Sequence, residues 1–317
     1  MKALVTGGAG FIGSHMIDHL LASGDEVVCI DNFSLGKKEN LNKALMYEKF
    51  KLYNLDLLNF KELKNIFNHE KFDTVYHLAA NSDIQAGCDS IDIDLHNTFL
   101  STFNVLSCMK NHGVNEIIFA SSSAIYGDLN QKLSEHTGPL FPISNYGAAK
   151  LASEAYISAF CENYDLKAWI IRFPNVVGWR LTHGVIFDLL NKLENNQKEL
   201  LVLGNGKQKK PYLFIDDLIN AINCIYKKTN DRVNYFNVAA DSVTTVKEIV
   251  KILLQKLDFE KTKVNYTGED RGWIGDVPKF KYDLTKVSSL NWEPAFSSNK
   301  AVTISIEKEI KYRKGKL

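Results

Sequence analysis

The segment that most constrains this chain lies at its start. A short apolar run, Ala3–Thr6, passes through Gly7-Gly8-Ala9-Gly10-Phe11-Ile12-Gly13 into Ile12–Leu21, which carries apolar residues at helical spacing. A strand that turns through glycines straight into a helix brings bare backbone N–H groups, and the positive end of the helix dipole, to one point. Gly8, Gly10 and Gly13 satisfy G-x-G-x-x-G, a weak pattern alone. Between a strand and a helix it reads as a loop that cradles the pyrophosphate of a dinucleotide. Asp31 closes the next strand pattern, Glu26–Ile30. A carboxylate there accepts from adenosine ribose hydroxyls and repels a 2′-phosphate, which favours NAD over NADP. Asp56, just past a third strand pattern, either reaches the adenine edge or serves as a turn carboxylate.

Lys51–Leu55, Thr74–Leu78, Glu116–Ala120 and Lys167–Arg172 also read as strands, short, β-branched or aromatic, and bounded by polar or Gly residues. Helical patterns at Phe60–Phe67, Ser101–Asn111 and Tyr146–Asn163 alternate with them. Near-continuous apolar strands alternating with helices imply an α/β, Rossmann-type parallel sheet covered by helices on both faces. Beyond Asn175 the rhythm loosens, with helical patterns at Asp217–Lys227 and Val246–Leu257. The expected division is a dinucleotide domain over 1–175 and a smaller mixed α/β substrate lobe over 176–317, parts of which return to the main sheet.

The charge balance narrows the partners. With 38 basic and 37 acidic side chains the net charge is +1, which gives no footprint for nucleic acid or an anionic membrane. The run Lys207, Lys209, Lys210 reads by default as a solvated loop. No apolar stretch approaches the roughly 18 residues of a membrane span, and the first residues lack a signal-peptide pattern. The five cysteines are scattered without C-x-x-C spacing, and the eight histidines form no ligand-like cluster. These features lead us to expect a cytoplasmic protein with neither disulfides nor a metal.

Tyr146-Gly147-Ala148-Ala149-Lys150 opens a helical pattern, so the phenol and the ammonium share one face. The lysine charge and a nicotinamide cation are expected to lower the Tyr146 pKa, letting the phenolate take a hydroxyl proton while hydride leaves the same carbon. Ser122 stands at a strand's carboxyl end, where its hydroxyl can hold the reacting oxygen.

Taken in order, these segments together with Asp31-Asn32, His77-Leu78-Ala79-Ala80, Ser121–Gly127 and Arg172-Phe173-Pro174-Asn175-Val176-Val177-Gly178 resemble the NAD-dependent nucleotide-sugar epimerase/dehydratase family of extended short-chain dehydrogenases/reductases. Gly204–Gln208 and Arg271–Pro278 extend the resemblance over nearly the whole chain. It implies that Ser122, Tyr146 and Lys150 are catalytic. It implies that Gly7, Gly10, Phe11, Ile12, Gly13, Asp31, Asn32, Asp56, Leu57, Ala79, Ala80 and Phe173 line the cofactor, and that Asn175, Lys210 and Arg271 hold the sugar nucleotide. A homodimer built from helices at Ser101–Met109 and Ala152–Phe160 is also implied.

Three departures refine the expectation. In dehydratases and decarboxylases of the family an acid, usually Glu, stands two residues after the catalytic Ser or Thr; here Ser123 and then Ala124 follow Ser122. Counting back without gaps from Asn104 puts Thr98 where the family has an Asn, with Asn97 one step off register. Lys210-Pro211 replaces a common Arg-Asp, losing the bidentate fork. The expected activity is therefore a 4-epimerase working through a 4-keto sugar. The alternative is a 4-dehydrogenase releasing a keto hexose or heptose; a 4,6-dehydratase ranks below both, with Asp83 and Glu135 as the acids it would need. A non-catalytic NAD-binding protein on this fold typically loses the Tyr/Lys pair, which this chain keeps.

Overall fold

Side-chain alternation along the strands sorts the core into two layers. In the computed structural model, which describes residues 1–272, 275 and 277–315, seven strands form one parallel sheet. They are β1 (Lys2–Thr6), β2 (Glu26–Asp31), β3 (Phe50–Asn54), β4 (Thr74–His77), β5 (Glu116–Ser122), β6 (Lys167–Phe173) and β7 (Val233–Asn237). Ala3, Val5, Val27, Cys29, Trp169 and Ile171 face one layer with Met16, Ile17 and Leu20 of helix Phe11–Ala22. Leu4, Val28, Ile30, Ile117, Phe119 and Ile170 face the other with Leu63, Phe67, Leu106 and Ile157 from three more helices. Each large apolar side chain so buried contributes roughly 1.5–3 kcal/mol, which is why the central positions of most of these strands are apolar.

The sheet order is β7-β6-β5-β4-β1-β2-β3. From β1 the chain winds outward through β2 and β3, then returns to pair β4 on β1's other side. The crossovers on either side of β1 diverge, and a crevice opens at the strands' carboxyl ends. A buried ladder fixes that point: the Thr6 hydroxyl meets His77 Nδ1 at 2.7 Å, and His77 Nε2 meets the Thr102 hydroxyl at 2.9 Å.

The rest of the chain closes the crevice. Asn175–Val177 pairs in parallel with Tyr212–Phe214, Lys209–Lys210 runs antiparallel to Thr244–Thr245, and β7 joins the main sheet beside β6. Helices Ile215–Lys228, Val246–Lys256 and Ser298–Arg313 add to the first core layer. A buried ion pair ties β6 to helix Asn145–Tyr164: Arg172 Nη2 donates to Glu154 Oε2 at 2.6 Å, and Glu154 also accepts from the Ser121 hydroxyl. Breaking such a pair from one side typically costs about 3–5 kcal/mol. No helix among the described residues is long and apolar enough to cross a membrane.

Two local features differ from the sequence reading. Strand β5 continues past Ala120 to Ser122, so the hydroxyl ends a strand paired to β6 throughout. A π-helical turn, Leu95–Leu100, precedes helix Ser101–His112 and inserts one residue into the helical count.

Candidate active site

The glycine loop is forced by close approaches. Gly7 has φ +69°, and a Cβ there would lie 2.7 Å from Ala79 Cα; a Cβ on Gly13 would lie 2.2 Å from the Gly7 carbonyl oxygen. Glycine is thus required for β1, β4 and the first helix to meet. That helix is capped by Gly10 with no side-chain hydrogen bond and no acid in its first turn, leaving its N–H groups open toward the crevice. A cavity of about 810 Å³ runs from this loop along the strand ends, and Gly7, Gly10, Phe11, Ile12, Gly13, Asp31, Asn32, Asp56, Leu57, Ala79, Ala80 and Phe173 all line it. Asp31 is buried and accepts from the N–H groups of Ala9 and Phe33, each at 2.8 Å. Burial raises its pKa, and those two donors oppose the rise. Asn32 Nδ2 donates to Asp56 Oδ2 at 3.0 Å, joining the ends of β2 and β3. An open helix N-terminus flanked by a buried carboxylate fits a dinucleotide of the NAD type.

Further along the cavity stand Ser122, Tyr146 and Lys150. Ser144 caps their helix, its hydroxyl accepting from Gly147 N–H at 3.1 Å, so Tyr146 sits in the first turn and Lys150 one turn on. Lys150 Nζ donates to the Ala120 carbonyl at 2.6 Å and lies 4.7 Å from the Phe119 ring centre and 5.8 Å from that of Tyr146. Burial lowers the Lys150 pKa to about 7, against the opposing charges of Glu154 and Asp94. Burial likewise pushes Tyr146 up to about 12; a hydrogen bond with Ser122 opposes this and the Asp94 charge adds to it. The expected lowering of the phenol's pKa is therefore not produced by the protein groups, because desolvation outweighs them.

Asn175 and Lys210 line the same cavity, so Lys210 is not a solvated loop residue. Gln208 lines it too, buried, with neither amide atom hydrogen-bonded. An amide left in that condition suits a polar ligand. Arg271 lies outside that lining: its side chain is about half exposed and pairs with Asp128 at 2.7 Å. An acid one position past Gly127 was close enough to capture it. Trp273, Ile274 and Asp276 of the Arg271–Pro278 motif lie outside the described residues. Of the two reserve acids, Asp83 lines the cavity, whereas Glu135 is buried away from it and accepts from Asn237 N–H at 2.8 Å.

The helix before β5 corrects the ungapped count. The π turn brings Asn97 into the cavity lining, while Thr98 is buried and accepts from Asn81 N–H at 3.1 Å. His183 and Asp188 also line the cavity and carried no signal in the sequence, standing in a segment with no motif of its own. Ala124 lines it beside Ser122, presenting a methyl group.

The family model for the NAD dependent epimerase/dehydratase family matches residues 3–239. The chain belongs to that family. A UDP-glucose 4-epimerase of Thermotoga maritima, solved with UDP-glucose, is 31% identical with TM-score 0.88 over 99% of both chains. A UDP-glucuronic acid 4-epimerase of Bacillus cereus, solved with UDP-glucuronic acid and NAD, is 27% identical with TM-score 0.86 over 99% of both. UDP-glucuronic acid decarboxylase 1 of Arabidopsis thaliana is 29% identical over 307 residues, 94% of this chain and 67% of that protein.

The displaced ionisation of Lys150 makes stability depend on pH. Its folded pKa of about 7 lies below the ordinary value of ~10.4, so between the two the unfolded chain holds a proton that the folded chain has lost. Stability then rises with pH from about 7. Above ~8.5 the buried thiols of Cys29, Cys108 and Cys161, whose pKa values burial raises, begin to reverse the trend. The melting temperature of the cofactor-free protein is expected to climb between about pH 7.5 and 8.5, and Lys150→Met to remove most of the climb. An unchanged slope in that variant would assign the effect elsewhere.

Proposed function

We propose that this protein is a nucleotide-sugar 4-epimerase that works through a 4-keto sugar. What supports the reading is that Ser122, Tyr146 and Lys150 line one cavity and that the chain carries Ala124 at the position where the resemblance puts an acid in dehydratases of the family. Gly7, Gly10, Phe11, Ile12, Gly13, Asp31, Asn32, Asp56, Leu57, Ala79, Ala80 and Phe173 hold NAD, which supplies a reversible hydride acceptor when bound. Ser122 donates to the C4 oxygen and orients it. Tyr146 takes the C4 hydroxyl proton and later returns it, so the reaction needs no net proton release. Lys150 stabilises the phenolate from one helical turn away. Asn175 and Lys210 bind the diphosphate as amide donor and fixed cation; Arg271, engaged by Asp128, is left out of this set.

The same reading includes a homodimer. Phe103, Tyr156 and Tyr164 are exposed on the outer faces of helices Ser101–His112 and Asn145–Tyr164. They stack edge-on with neighbouring rings, Phe99 to Tyr156 at 5.1 Å and Phe160 to Tyr164 at 5.0 Å. An aromatic face of this kind suits a self-complementary helix contact. Sedimentation is expected to give twice the chain mass; a monomer at micromolar concentration would contradict it.

Elimination of water across C5–C6 needs an acid for the departing hydroxyl, and a serine hydroxyl is too weak. Tyr146→Phe is expected to cut turnover on the order of 10²–10⁴-fold while binding of the nucleotide sugar changes little. With the wild type, mass spectrometry should find a product isomeric with the substrate, its C6 group intact. A product lighter by one water, or a Tyr146→Phe variant of near-full activity, would overturn the reading.

A further inference from the structure

Family membership leaves the sugar's C6 group open, and fixed charge around the cavity bears on it. Three lysines line the cavity among the described residues, and each is already engaged or placed. Lys210 belongs to the strand Lys209–Lys210 and lies two residues before Tyr212, which pairs with Asn175 at the proposed diphosphate site. Lys192 Nζ donates to the Leu201 carbonyl at 2.9 Å, and its charge also acts on Asp188. Lys150 is buried and engaged by the Ala120 carbonyl.

The wall formed by Ser82, Asp83, Thr182, His183 and Asp188 is different. Asp83 makes no ion pair among the described residues; its carboxylate accepts from Ala86 N–H at 3.1 Å as the cap of Ile84–Asp89. His183 Nδ1 lies 3.0 Å from the Thr182 hydroxyl and 3.3 Å from that of Ser82. Burial lowers its pKa, and the Asp83 charge opposes the fall. Burial raises the pKa of Asp188, one helix away; the Lys192 charge opposes the rise and the Asp83 charge adds to it. This wall is acidic, and no arginine lines the cavity among the described residues.

We propose that Asp83 makes the sugar subsite selective for nucleotide sugars without a carboxylate, a neutral hexose or N-acetylhexosamine, and against hexuronates. The proposal rests on the 4-epimerase reading in one respect. Epimerisation presents both faces of C4 to one hydride acceptor, so the ring must turn over and its C6 substituent must visit opposite sides of the subsite. A C6 carboxylate could not avoid the Asp83 side throughout such a rotation, and like charges in a partly dehydrated cavity repel more strongly than in water. A hydroxymethyl group meets no such penalty and can donate to the same carboxylate.

The test is calorimetric titration of the NAD-loaded protein with two pairs differing at C6: UDP-glucose with UDP-glucuronate, and GDP-mannose with GDP-mannuronate. In whichever pair binds, the neutral member is expected to bind at least about tenfold more tightly, a gap of roughly 1.4 kcal/mol. Asp83→Asn keeps a good helix cap and is expected to narrow the ratio several-fold; Asp83→Ser, also a capping residue, gives a second measure should the first not fold. A uronate bound as tightly as its neutral partner, a ratio unchanged by these variants, or no binding of either pair would overturn the proposal. Product analysis on the same samples separates the two readings. Selective binding without inversion at C4 defeats the epimerase and leaves the selectivity standing. Inversion of a uronate at a matching rate does the reverse.

Discussion

Lys150 is buried to 2% exposure, and its ammonium reaches the Ala120 carbonyl rather than a carboxylate. That one contact joins the end of β5 to the second turn of helix Asn145–Tyr164. Ala120 lies two residues before Ser122, and Lys150 lies four after Tyr146, so the bond that holds the lysine also sets the serine opposite the phenol. Glu154, one turn further, is engaged by Arg172 and Ser121 and lends Lys150 only its field. The result is a lysine buried at a cost in stability, as groups at functional sites often are. The surrounding pairs, from Thr6–His77–Thr102 to Arg172–Glu154, keep both strand and helix from relaxing away from it.

The desolvation that taxes Lys150 also raises the Tyr146 phenol, and both effects prepare the site for a ligand that brings positive charge. A phenol near 12 is a poor base by itself. A positive charge placed beside it would stabilise the phenolate. The same strand end carries Ala124 two residues after Ser122, so it offers no carboxyl acid beside the serine.

Most of the fold was legible because its signals are local. The β-branched runs bounded by polar residues located six strands to within two residues, and the glycine loop set the crevice, since only glycine satisfies the approaches of Gly7 to Ala79 and Gly13 to Gly7. What escaped the sequence reading depended on geometry at a distance. The π turn at Leu95–Leu100 adds a residue without any composition signal, so an ungapped count placed Thr98 where Asn97 lines the cavity. Arg271 is assigned to the sugar nucleotide by resemblance; its ion pair with Asp128, 143 residues away in sequence, is invisible to motif spacing. The pKa of Tyr146 went the other way because burial, unlike the i, i+4 neighbour, cannot be read from a helix pattern. His183 and Asp188 reach the cavity only because the chain after β6 folds back over the crevice.

The central claim is that hydride leaves C4 and returns to the same carbon within one binding event. The most direct measurement uses a nucleotide sugar deuterated at C4 and follows the label by nuclear magnetic resonance and mass spectrometry. The account predicts an epimer that keeps its deuterium at C4, with no accumulation of reduced cofactor. Loss of the label to water, or a 4-keto product released with a stoichiometric amount of deuterated NADH, would contradict it.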